Sequence, residues 1–188
     1  MVIDRLLNAA RRLSRLLVWI GGALLLLAAF LVTAEVLLRK FFGVSIGGAD
    51  ELSGYAFGVA TTLGFAYALF ERAHIRVDAL YALLPMGAKL AASVIGLVLL
   101  LGFAGIASWT ALDLVADTLR HGSRSITPMR TPLAIPQIPW LLGWLFFLVA
   151  GLLLLIAAIR RLALGDKAGA DRLIGVKSVS EQIEDECS

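Results

Sequence analysis

The chain has 188 residues, 60% of them hydrophobic and only 16% charged, with a mean hydropathy of +0.88. A soluble fold of this size has too little interior to hide that much apolar surface, so lipid must serve as part of the solvent. The net charge of +3 therefore reads as membrane topology and not as nucleic-acid binding.

Residues 2–17 plot as an amphipathic helix. Val2, Ile3, Leu6, Leu7, Ala10, Leu13 and Leu17 fall on one side, and Asp4, Arg5, Asn8, Arg11, Arg12 and Arg15 on the other. The pattern predicts an N-terminal interfacial helix with its arginines toward anionic lipid headgroups. Plain continuation of the first span is the alternative. The charge-free run Leu16–Ala34 follows, 19 residues long against the roughly 20 that cross about 30 Å of hydrocarbon. The first span is expected at about 16–38. Val32-Thr33-Ala34 has the small residues of a signal-peptide cleavage site, but the apolar core before it exceeds the usual length of roughly 7–15 residues, so a retained span is expected.

Glu35 is the ionisable residue with apolar sequence on both sides inside a span. Such residues usually mark function, proton coupling among them. Arg39 follows at i+4, however, a favourable helical spacing for an ion pair, and near a helix end snorkelling lowers the cost of both charges. The pattern predicts a structural Glu35–Arg39 pair in preference to a proton carrier. Gly43, Gly47 and Gly48 then make a turn. Asp50 is placed to cap the second helix and Glu51 sits in its first turn. The second span, 52–70, carries Gly54, Gly58 and Gly64, small residues expected to let another helix approach closely.

The octapeptide Glu71-Arg72-Ala73-His74-Ile75-Arg76-Val77-Asp78 concentrates charge between two apolar runs. Glu71 and His74 have the Glu-x-x-His spacing of di-iron bundles, which need two such pairs and two further glutamates. The other histidine, His121, is placed across the membrane, so neither a metal nor haem is expected. Val77, Leu80, Tyr81 and Leu84 recur at helical spacing before Pro85, which predicts a short surface helix.

The third run, Leu90–Leu112, has 23 residues and the fourth, Thr131–Ile159, has 29. The fourth opens with Pro132, Pro136 and Pro139, so its helix is expected to start near Pro139, where a first turn tolerates proline. That assignment gives spans at about 90–112 and 139–159 and a long connection, 113–137, with Asp113, Asp117, Arg120, Arg124 and Arg130. One membrane domain, 1–161, is followed by a polar tail, 162–188, expected to lack fixed structure. The single cysteine, Cys187, forms neither an internal disulfide nor a dithiol relay.

The expected fold is an all-α integral membrane protein of four spans. Twelve of the 17 Lys and Arg residues fall on the side of the N-terminus, the loop after the second span and the tail, which predicts that both termini are cytoplasmic. No nucleotide-binding glycine loop, no nucleophile–base arrangement and no pair of related halves occurs in the sequence, so neither an enzyme nor a self-sufficient carrier is expected, and no cofactor.

Four marks stand in order on these spans: Val36-Leu37-Leu38-Arg39-Lys40-Phe41-Phe42, Ala49-Asp50-Glu51-Leu52, the octapeptide Glu71–Asp78, and Thr131-Pro132-Leu133-Ala134-Ile135-Pro136-Gln137-Ile138-Pro139-Trp140. With them the chain resembles, from about Leu16 to Arg161, the small membrane subunit of tripartite ATP-independent periplasmic (TRAP) transporters. The resemblance implies a fixed scaffold for a large permease subunit, which takes up organic acids such as C4-dicarboxylates or sialic acids with sodium. A periplasmic substrate-binding protein delivers the substrate. It also implies anchoring and subunit contact for Arg39, Glu51, Glu71, His74, Arg76 and Asp78, and docking of the delivery protein at Arg120, Arg124 and Arg130. The competing readings are a four-helix proton-coupled drug antiporter using Glu35 and a membrane anchor for another complex. The antiporter fits poorly with the long connection 113–137.

Overall fold

A computed structural model of the chain describes residues 2–72 and 85–175. Its helices are α1 (Val2–Phe42), α2 (Ala49–Phe70), α3 (Met86–His121), α4 (Ala134–Ala163) and α5 (Lys167–Ile174). The first four are each long and apolar enough to cross a membrane. No strand occurs among the described residues; a single bridge joins Arg124 to Pro132. The surface helix expected at Val77–Leu84 lies outside the described residues.

The helices stand in a row rather than in a closed bundle. Among the described residues α1 packs chiefly on α2, α2 on α4 and α4 on α3, with a smaller contact between the start of α1 and the end of α4, which leaves α1 and α3 at the two edges. Exposure follows from this order: 6% of the most apolar stretch of α1 is buried, against 39% for α4.

Each seam of the row contains a glycine where two helices approach closely. A Cβ on Gly21 of α1 would lie 3.1 Å from the Ala60 carbonyl oxygen of α2. One on Gly143 of α4 would lie 2.5 Å from Thr62 Oγ1 of α2, and one on Gly151 would lie 2.5 Å from Leu101 Cδ2 of α3. Small residues permit such approach, and van der Waals packing is what holds helices together when lipid is as apolar as their side chains. Ala66, Ala104, Ala150 and Ala158, all fully buried, continue the same pattern. Across the middle of the row Trp144 of α4 meets Phe65 of α2 edge-on at 5.0 Å and Phe103 of α3 at 6.1 Å. Edge-to-face geometry suits the ring quadrupoles.

Several expectations change here. The stripe at 2–17 is not a separate interfacial helix, because α1 runs unbroken through 41 residues, roughly 60 Å at 1.5 Å per residue. No proline interrupts it. Leu7 and Ala10 are buried against a cluster containing Phe70, Ala157, Ala158 and Ile174, and the Arg11 guanidinium stands over the Phe70 ring at 5.7 Å. Protein, not lipid, covers that part of the stripe.

The tail also begins with structure. Gly165 turns the chain at φ +78, and the Asp166 side chain caps α5 by accepting from the Gly169 amide at 2.8 Å. Ala170 and Ile174 are buried, so 167–174 is a folded part of what was expected to be a structureless tail. α4 begins at Ala134, not near Pro139, which lies inside the helix. Pro136 occupies the first turn, where no backbone N–H is needed. α3 likewise continues to His121, so the long connection shrinks to 122–133. Asp50 does not cap α2; that position is Gly48, without a side-chain cap bond.

Candidate functional site

Two carboxylates that the structure ties down, those of Glu35 and Glu51, lie at one end of the row, where α1 finishes and α2 begins. Glu35 is 3% exposed. Its Oε1 accepts from Arg39 Nη2 at 2.7 Å and from Ser45 Oγ at 2.6 Å, and its Oε2 accepts from the Ile46 amide at 2.7 Å. The structure thus brings Glu35 and Arg39 together, and it adds two partners that helical spacing does not show. The Glu35 carboxylate clamps the α1–α2 turn onto the end of α1. A carboxylate with three donors from its own chain is committed to holding structure; a proton carrier has to exchange those partners on each cycle.

Glu51 makes a second clamp. Its Oε1 accepts from the Tyr55 hydroxyl at 2.8 Å, one turn along α2. Its Oε2 accepts from the Thr127 hydroxyl, 76 positions later in the chain, and Thr127 Oγ1 lies 2.6 Å from Ser125 Oγ. Segment 122–133 is folded back on itself beneath this contact. The Ser125 amide donates to the Thr131 carbonyl at 2.9 Å and the Leu133 amide to the Ser123 carbonyl at 3.1 Å. Met129 of the same segment packs on Gly48, where an added Cβ would collide with its sulfur. Gly48 sits at φ +129, a conformation that only glycine adopts easily. The two turns at this end are therefore held to each other as well as to the helices.

Arg120, Arg124 and Arg130, at this same end, are all exposed. Arg120 is in the last turn of α3, Arg124 donates to the Arg130 carbonyl at 3.3 Å, and Arg130 has φ +47. Ile126, between them, is fully exposed at the tip of the segment. Beside them His121 Nδ1 lies 3.1 Å from Asp117 Oδ1, both side chains 69% exposed. Arg39, by contrast with its buried partner, has a side chain 63% exposed.

Other predicted residues lie apart from this cluster. Glu71 and Arg72 form the turn that ends α2, at its other end, while His74, Arg76 and Asp78 fall outside the described residues. Gly54, Gly58 and Gly64, expected to seat a neighbouring helix, seat none of this chain's described residues: a Cβ on any of them would have no such neighbour within 4 Å. The glycines at the seams are Gly21, Gly143 and Gly151 instead. Sequence reasoning missed them because GxxxG spacing shows where a backbone is bare and not which helix comes to it. Thr127 was missed for a similar reason, since nothing local marks a hydroxyl whose partner lies in another helix. Among the described residues no three His, Cys, Asp or Glu side chains converge as metal ligands.

The family model "Tripartite ATP-independent periplasmic transporters, DctQ component" matches residues 28–162, from the last third of α1 through nearly all of α4. No curated protein and no solved structure matches the chain.

Proposed function

The chain belongs to the DctQ component family of the tripartite ATP-independent periplasmic transporters, and from that premise we propose that it is the stationary scaffold of one such transporter. In this reading it holds a large permease subunit in the bacterial inner membrane, with both termini cytoplasmic. The permease moves an organic acid, a C4-dicarboxylate or a sialic-acid-like molecule, together with sodium. A periplasmic substrate-binding protein delivers that acid.

The observation that carries the reading is the row itself. Four helices in a row expose two broad apolar faces, and α1 in particular buries almost none of its apolar stretch within the chain. A wall of this kind suits a support, whereas a carrier needs a polar site enclosed between helices. The family supplies the neighbour that the wall would support. Arg39, Glu71, His74, Arg76 and Asp78 are assigned to anchoring and subunit contact. Glu51 is moved from that group, because its carboxylate is already taken by Tyr55 and Thr127. Arg120, Arg124 and Arg130, exposed on the end clamped by Glu35 and Glu51, are assigned to docking an acidic face of the binding protein. Such docking weakens as salt rises.

Co-purification in detergent with the large permease tests the scaffold. The double variant Arg76→Ala, Asp78→Ala is expected to lower recovery of the permease, and unchanged recovery removes that loop from the interface. Reconstituted alone in liposomes, the chain is expected to move no organic acid under a sodium gradient. Flux without the permease would overturn the proposal.

A further inference from the structure

At the other end of the row, where α1 starts and α4 turns into α5, the chain leaves a cavity of about 220 Å³. Four charged residues line it: Asp4 of α1, Arg160 and Arg161 at the end of α4, and Asp166 of the turn. Its apolar lining is Ile3, Ala157 and Leu164. The charge-free run of α4 ends at Ile159, so Ala157 reaches into the hydrocarbon while both arginines stand at the level of the lipid headgroups.

Two guanidinium groups against two carboxylates restrict what suits this cavity. A purely anionic ligand is drawn to the arginines but repelled by Asp4 and Asp166, and a cation meets the reverse. A ligand with a phosphate at one end and an ammonium at the other meets both pairs with the right sign. Donors and acceptors remain for it. Arg161 gives Nη1 to the Gly169 carbonyl at 3.3 Å, and a guanidinium has further N–H groups to offer. Asp166 Oδ1 accepts from the Gly169 amide at 2.8 Å. Its Oδ2 is 3.8 Å from Arg161 Nη1, too far for a hydrogen bond, and so can accept from another donor. Buried Gly169 fixes both side chains, since an added Cβ would collide with Asp166 and Arg161.

The kind of ammonium is restricted as well. A quaternary ammonium has no N–H and is recognised by aromatic faces, but no aromatic residue is among those that line the cavity. A primary ammonium donates three hydrogen bonds, which carboxylates accept. The volume equals that of roughly seven waters, close to the size of a phosphoethanolamine group.

We propose that this cleft binds the headgroup of a zwitterionic phospholipid with a primary amine, a phosphatidylethanolamine. Its phosphate lies on Arg160 and Arg161 and its ammonium on Asp4 and Asp166. Ile3 and Leu164 meet the first carbons of its tails. The site ties the start of α1 to the end of α4 through a lipid, at a place where the two helices touch only over a short length.

The test titrates the delipidated full chain in detergent with three phospholipids of identical tails and counts bound lipid by native mass spectrometry. Phosphatidylethanolamine is expected to bind at least fivefold more tightly than phosphatidylcholine or phosphatidylglycerol. Arg160→Gln should weaken it about tenfold. Asp166→Asn keeps a side chain able to cap α5 but removes the charge, with an expected loss of about 3–10-fold. Arg12→Gln, an exposed arginine of α1 that does not line the cavity, should bind as the parent chain does. Equal binding of the three lipids, a preference for phosphatidylglycerol, or no loss with Arg160→Gln and Asp166→Asn overturns the proposal. An equal loss with Arg12→Gln overturns it too, by showing general charge attraction. Displacement of the lipid by an equal concentration of free phosphoethanolamine would assign the site to a soluble ligand and overturn the lipid assignment.

Discussion

One face of α2 shows two outcomes of the same kind of surface. At Thr62 a bare backbone faces another helix, and Gly143 lets the two close until no side chain fits between them. At Gly54 and Gly58, on the same stripe, the backbone is just as bare, and none of the described residues comes within 4 Å of where a Cβ would be. Small residues permit close approach in a membrane but do not cause it. The cause at Thr62 is the whole length of α4, whose Trp144 and Phe147 pack against Phe65 of α2. At the start of α2 the Glu51 clamp holds segment 122–133, which leads directly into α4.

That contrast can be broken first at the seam. Gly143→Ala places a Cβ 2.5 Å from Thr62 Oγ1 and 2.8 Å from the Thr62 backbone carbon. Backbone cannot swing aside, so the variant should lose about 1–3 kcal/mol, read as a lower unfolding midpoint in mild detergent. An unshifted midpoint would mean that the α2–α4 seam is not closed. Gly151→Ala makes a contact of the same length, but with the terminal methyl Cδ2 of Leu101. A rotamer change relieves it, and the loss should be near the low end of the overpacking range, about 1 kcal/mol. Equal losses at the two glycines would show that side-chain and backbone neighbours yield alike.

A smaller and more local effect is expected at the clamp. Thr127→Val keeps the shape of the side chain and removes the hydroxyl that reaches Glu51. Limited proteolysis should then cut 122–133 faster, with the global midpoint almost unmoved. A protected segment would show that Met129 on Gly48 suffices to hold it. Least of all is expected from Gly64→Ala, whose new methyl meets none of the described residues within 4 Å. Relief of the glycine penalty should leave stability level or raise it by up to about 1 kcal/mol. A clear destabilisation there would place an unseen neighbour against that side of α2.

The clamps show how far local pattern carries. Glu35 and Arg39 are four residues apart, so helix geometry alone set them side by side. Ser45 and the Ile46 amide, which complete the Glu35 clamp, depend on how the following turn folds back. Glu51 was legible as a first-turn acid, yet its main partner lies 76 positions away. The α5 cap was legible in principle as Gly165-Asp166 before a helical stretch, but an eight-residue helix is too short for its periodicity to stand out in a polar tail.

From the sequence by itself came the number of spans and the family. A segment must stay apolar for about 20 residues to cross hydrocarbon, and that demand is met locally, residue by residue. Tertiary structure alone decided the order of helices in the row, the glycines that seal its seams and the length of segment 122–133. The physical reason is that lipid is as apolar as the protein interior. Hydropathy, which marks the buried face of a helix in water, no longer separates inside from outside in a membrane, and the shapes of facing helices decide it instead.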